Sequence, residues 1–125
     1  MKREYVRQVV VYGDYFKEFR KTLNPVALKK MYQVLTYIMT EPVVPVKFLK
    51  AIRGRKGLFE IRAESEGNQY RVLCCFDEGK MIVLFNGFLK KTPKTPIDQL
   101  DMAERLMRLY FEEKNRINNE EQGTK

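Results

Sequence analysis

The chain contains no histidine. That absence removes the commonest general base, the usual zinc ligand, and the Ser-His and Cys-His mechanisms together. Any catalysis has to run on Lys, Arg, Glu, Asp or Tyr. Cysteine is scarce as well, and its two copies, Cys74 and Cys75, are adjacent. Neighbours on a strand point to opposite faces, so these thiols cannot easily bridge each other. No C-x-x-C or other metal-ligand spacing exists, and no cofactor or metal is expected. The cysteines read as reduced, packed thiols, with a redox switch the less favoured alternative. No apolar run reaches membrane-spanning length. The opening stretch MKREYVRQVVVYGDYF lacks the apolar core and small-residue cleavage site of a signal peptide. The expectation is a cytoplasmic protein with no membrane partner.

What remains supports one folded unit. The chain has 125 residues, 44% hydrophobic and 32% charged, enough for a core and too apolar for wholesale disorder. Its net charge of +8 is unevenly spread. Residues 47–97 hold 11 basic and 5 acidic side chains, whereas residues 98–125 hold 5 and 7. A basic middle suits a polyanion, either nucleic acid or an acidic partner protein.

Hydrophobic periodicity gives an order of elements. EYVRQVVVY (4–12) reads as a strand. In residues 14–23, Phe16, Phe19 and Leu23 share one helical face behind Asp14 as N-cap. Asn24 and Pro25 then open a second helix that stops before Pro42. The connector 43–57 is basic, with Phe48, Leu49 and Ile52 spaced as one helical turn. Three strand-like runs, 58–64, 69–76 and 80–88, are separated by glycine-bearing turns. A last helix follows, with Thr95 as N-cap, Pro96 at N1 and Asp98 at N3. The predicted fold is α+β, β-α-α-β-β-β-α: a helical hairpin on one face of a small, mainly antiparallel sheet, plus a C-terminal helix. One domain is expected over 1–117, with a frayed tail over 118–125.

Strand alternation sorts the chemistry. Any two-residue turn in SEGN leaves Arg62 and Arg71 on the same sheet face. A two-residue turn at Glu78–Gly79 would add Asn86 opposite Arg71 and put Leu84 on that face too. The result is a mixed face of Glu60, Arg62, Arg71 and Asn86, left open. An apolar face containing Tyr70, Val72, Cys74, Met81, Val83 and Phe85 would lie under the helices. Two arginines side by side repel by a few tenths to about 1 kcal/mol. Either an anion or Glu60 would hold them together, so an anion site and a structural charge cluster both fit. FLKKTPKTP (88–96) then brings Lys90, Lys91 and Lys94 beside a helix N-terminus at the same end of the sheet.

These segments carry a resemblance. The set GLFEIR, YRV and GFLKKTPKTP, followed by a final helix, resembles the phage-derived Gp49-like, HigB-type branch of the RelE/ParE toxin superfamily. The likeness covers residues 45–110 well and the N-terminal helices loosely. It implies a toxin of a type II toxin–antitoxin system. Such a toxin is a ribosome-dependent endoribonuclease that cleaves mRNA by promoting attack of a ribose 2′-hydroxyl on the adjacent phosphate. It further implies mRNA, the ribosome and an adjacently encoded antitoxin, of helix-turn-helix type, as partners. On this reading the strand-borne basic positions are Arg62 and Arg71, acting as phosphate clamps. The basic position after the last strand falls on Lys90, Lys91 or Lys94, with Lys91 or Lys94 the proton-transfer candidate and Glu60 a second one. Arg53, Arg55, Lys56 and Lys90 would grip RNA backbone, which needs charge more than geometry. A gyrase-inhibiting toxin like the ParE side of the superfamily, or a non-catalytic binding module, are the alternatives.

Overall fold

The computed structural model describes the backbone of residues 4–123. Eight elements follow in order: β1 (Gln8–Val11), α1 (Tyr15–Lys21), α2 (Pro25–Thr40), β2 (Leu49–Ala51), β3 (Leu58–Ser65), β4 (Asn68–Asp77), β5 (Met81–Lys90) and α3 (Ile97–Gly123). The strands form one mixed sheet in the order β1-β5-β4-β3-β2, with β1 parallel to β5 and the other pairs antiparallel. The fold is α+β, as the sequence indicated. It gains one strand, because Leu49–Ala51 pairs with β3 where a helical turn was expected. Pairing to an existing edge satisfies three residues of backbone that an isolated turn would leave half-bonded.

Local signals explain the helix ends. Asn24 Oδ1 accepts a hydrogen bond from the Ala27 N–H at 2.8 Å, and Pro25 occupies the first helical position of α2. Asp14 precedes α1 but makes no side-chain capping bond. The first helical bond of α3 runs from the Leu100 N–H to the Pro96 carbonyl, so Pro96, not Thr95, holds the cap position. The same helix continues to Gly123, through 118–123, where a frayed tail was expected. No proline or glycine interrupts it before that residue. Residues 124–125 of that expected tail lie outside the described residues.

The two hairpins behave differently, and the difference decides the layers. At the first, Glu66 and Gly67 both have positive φ (51° and 80°), and Ser65 pairs with Asn68. This is a two-residue turn whose twist matches the strands, and it sets Arg62 opposite Arg71 as expected. At the second, Asp77 pairs with Met81, leaving a three-residue loop, Glu78–Lys80. The expected two-residue turn at Glu78–Gly79 is therefore corrected, and a one-residue slip moves every side chain of the strand to the other face. Ile82 and Leu84 pack with α1 and α2, whereas Met81, Val83 and Phe85 join the cluster around α3. A β-bulge follows, with two residues of β5, Phe85 and Asn86, facing the single Leu73 of β4. Arg71 consequently sits opposite Phe88, not Asn86.

Both sheet faces are covered. On one, α1 and α2 bury Phe16, Phe19, Met31, Leu35 and Ile38 against Ile61, Val72, Cys74 and Leu84. Phe19 lies so close over Gly87 that a Cβ there would overlap its ring. On the other, α3 sets Ala103 and Leu106 against Leu58, Leu73, Cys75 and Phe85. The mixed face was expected to be open. Its apolar half is instead roofed by the amphipathic C-terminal helix, because Leu58, Leu73, Val83 and Phe85 form a patch too apolar to leave in water.

Candidate functional site

Charged residues begin on this face where the apolar cluster under α3 ends. Successive outward positions of β3 are Glu60, Arg62 and Glu64, and those of β4 are Arg71 and Gln69. Register sets Arg62 opposite Arg71 and Glu64 opposite Gln69. β5 adds Lys90 opposite Gln69, and β2 adds Lys50 opposite Glu60. Four strands thus deliver four cations around one carboxylate.

That carboxylate is buried. Glu60 is 5% exposed and Arg71 3%. Glu60 Oε1 lies 3.5 Å from Arg62 Nε, and its Oε2 lies 3.8 Å from Arg71 Nε. Among the described residues, Glu60 Oε2 and Arg71 Nε have no hydrogen-bond partner, so the inner ion pair is held by charge across a gap slightly too long for a bond. Arg71 is steadied elsewhere. Its Nη2 donates to Gln69 Oε1 at 2.7 Å and its Nη1 to the Tyr70 carbonyl at 3.3 Å. Arg62 is more accessible and reaches round the sheet edge to the Val46 carbonyl at 3.4 Å. The Glu60–Arg62–Arg71 cluster is thus real as a structural unit, yet Glu60 and Glu64 together cannot neutralise two guanidiniums and two ammoniums.

Burial and the neighbouring Arg62 push the Arg71 pKa down, with Glu60 and Glu64 opposing. Burial and Arg71 likewise push the Lys90 ammonium below its usual range, helped by Arg62 and Lys50 and opposed by Glu60. A site that disfavours its own cations is one that an incoming anion relieves. Beside it, at the stretch of β3 edge beyond β2, lies a cleft of about 440 Å³ lined in part by Arg62 and Arg71.

The other expected residues are placed as follows. Lys91 and Lys94 lie exposed in the loop between β5 and α3, a loop steadied by a hydrogen bond from Thr92 Oγ1 to the Lys94 carbonyl. Arg55 is occupied: it pairs with Asp101 at 2.7 Å and Glu104 at 3.2 Å, fastening the connector to α3. Arg53 and Lys56 are exposed on the same connector. Asn86 turns away from the arginines, its Nδ2 donating to the Gln99 carbonyl and side chain at 3.1 and 2.8 Å. Sequence reasoning missed Lys50 and Gln69. Gln69 was legible, since it falls opposite Glu64 once Arg62 faces Arg71; Lys50 was hidden by reading β2 as a helical turn.

The arrangement defines a class: a small α+β domain that displays a surplus of cations, built on a buried carboxylate, at one end of a sheet face. The family described as phage derived protein Gp49-like matches residues 14–108, and the chain belongs to that family, one of RelE/HigB-like toxin type. Among solved structures, the chain is similar to one in the archaeal RelE–RelB complex from Pyrococcus horikoshii OT3. The likeness is 20% identity over 72% of this chain and 99% of that one, with a TM-score of 0.49. A search of curated proteins finds no match. Among the described residues, no helix is long and apolar enough to cross a membrane.

Proposed function

We propose that this chain is the toxin of a type II toxin–antitoxin pair and acts as a ribosome-dependent endoribonuclease on mRNA. The observation that supports this most is the convergence of Arg62, Arg71, Lys90 and Lys50 around buried Glu60, beside an open cleft. A phosphodiester placed there meets Arg62 and Lys90 directly. Arg71, set deeper, adds fixed positive charge. In the reaction the ribose 2′-oxygen bonds to the adjacent phosphorus and the bond from phosphorus to the 5′-oxygen breaks. The products are a 2′,3′-cyclic phosphate and a 5′-hydroxyl. One proton leaves the 2′-hydroxyl and one reaches the departing 5′-oxygen.

The dianionic transition state carries more charge than the substrate, so fixed cations stabilise it preferentially. Lys90 is the residue best fitted to move a proton. Its lowered pKa increases the neutral fraction that can accept the 2′-hydroxyl proton, and its ammonium form can deliver one. Lys91 and Lys94, on the adjoining loop, serve as contacts to the RNA backbone, as do Arg53 and Lys56 on the connector. The antitoxin, on this reading, is an acidic segment that covers the same cations.

The test is induction of the chain in bacteria, alone and as Arg62→Ala, Arg71→Ala and Lys90→Met, with primer extension to map mRNA 5′ ends. Growth arrest with new cuts inside translated codons, reduced at least a hundredfold in the three variants, is the expected result. Because Arg71 is buried, the folded state of each variant is checked by circular dichroism. Arrest with intact mRNA would move the reading to a bound target such as gyrase, and no arrest would sink the toxin assignment.

A further inference from the structure

The cleft beside the arginines has a polar wall whose donor and acceptor pattern is fixed. Gln69 Oε1 accepts from Arg71 Nη2, an atom that can only donate, so the amide is locked with its oxygen inward and its NH₂ group outward. Opposite it in register stands Glu64, exposed, with no ion pair or hydrogen bond among the described residues. Cross-strand partners of this kind hold their Cβ atoms about 5 Å apart. The cleft therefore offers one committed donor beside one free, acceptor-only carboxylate. Lys30 of α2 and Lys47 of the connector also line the cleft and add positive charge, and Phe48 contributes an apolar, aromatic surface. The volume, about 440 Å³, is within the range of small-ligand sites.

This pattern discriminates among nucleobases. Guanine presents a carbonyl acceptor, O6, next to two donors, N1–H and N2–H, on one edge. A carboxylate accepts both donors at once, while an amide NH₂ gives to O6. Adenine and cytosine offer the carboxylate a single amino group, and uracil a single N3–H. We propose that this cleft is a base subsite with a preference for guanine. Glu64 and Gln69 read the base of a nucleotide whose phosphate rests on Arg62, with buried Arg71 supplying fixed charge behind it. The proposal rests on the RNA-binding reading of the cationic face and adds to it a specificity-determining pair.

The experiment uses the purified full chain and fluorescence anisotropy with four 2′-O-methyl heptamers, uridine throughout except for a central G, A, C or U. The 2′-O-methyl groups prevent cleavage. The wild-type chain is expected to bind the G oligonucleotide about tenfold more tightly than the other three, the usual worth of one well-made bidentate contact. Glu64→Gln removes a charge and replaces one of the two acceptor oxygens with an NH₂ that opposes a base N–H; it should level the four affinities without lowering the affinity for A, C or U. Glu41→Gln, which removes the same charge from an exposed site at the end of α2, outside the cleft, should keep the tenfold ratio. Equal binding of all four by the wild-type chain, or a ratio unchanged in Glu64→Gln, overturns the guanine subsite and leaves the RNA reading standing. No binding of any oligonucleotide also overturns the guanine subsite, and the ribosome-dependent reading then stands or falls on the primer-extension result alone.

Discussion

At the scale of single residues, the choice among three neighbouring lysines shows what alternation can and cannot say. Lys90, Lys91 and Lys94 look equivalent as members of one basic run. Only Lys90 still belongs to β5, two positions beyond Phe88, which faces Arg71. Parity therefore puts it on the arginine face, and its lowered pKa records the result. The folded chain holds the Lys90 proton less tightly than the unfolded chain, so stability rises with pH as the folded value and then 10.5 are passed. Below that window the charged lysine is a net cost. Replacing it with methionine keeps the stem and removes both the cost of burying the charge and the repulsion from Arg71. Lys90→Met should raise the urea midpoint by the equivalent of about 0.5 kcal/mol at pH 7 while eliminating the proposed RNA cleavage. A variant that lost both stability and activity would show that the ammonium is structural.

At the scale of elements, α3 is what turns a half-apolar sheet face into a site. It roofs the apolar half and leaves Lys50, Arg62 and Lys90 accessible beyond it. Its middle is fastened by a small polar network. Tyr110 donates to Asp77 Oδ2 at 2.6 Å, and Lys114 donates to both Asp77 oxygens at 2.9 Å. Burial alone would raise the Asp77 pKa, but these bonds outweigh it and the net shift is downward, while burial and Asp77 push the Tyr110 hydroxyl up to about 12. The Asp77 contribution is complete above its ordinary 3.8 and is lost as pH falls through the lower folded value. Tyr110→Phe should cost about 1.5 kcal/mol at pH 7, and the difference should shrink in melts at pH 3 and below. The elements themselves were largely legible. Strand and helix periods, the Asn24–Pro25 cap and the first hairpin all follow from residue type. The second hairpin did not, because DEGK accommodates a two- or a three-residue loop with the same glycine. That one ambiguity exchanged the faces of Val83, Leu84 and Phe85. The bulge at Phe85–Asn86 then restored Asn86 to the α3 side, where alternation through the wrong turn had also put it, by a different route. The arginine pair survived these errors because it depends on the first hairpin alone.

At the scale of the molecule, a +8 chain carries its chemistry as a field as well as a geometry. If Lys50, Arg62, Arg71 and Lys90 meet phosphates, single-stranded RNA affinity should fall with salt at a log–log slope of about −3, and Lys90→Met should make it shallower by about 0.7. A flat salt response would mean the cations are balanced internally. The layered architecture has one more consequence, carried by the two neighbouring cysteines. Cys74 lies in the layer closed by α1 and α2, and Cys75 in the layer closed by α3. Both are free and sealed from solvent, and burial raises both thiols, Cys75 to about 12 with Asp77 contributing. Neither reacts while its layer is shut. One peptide bond therefore separates two independent clocks: alkylation of Cys75 times the lifting of the C-terminal helix, and alkylation of Cys74 times the opening of the helical hairpin. Mass spectrometry of a single tryptic fragment reads both.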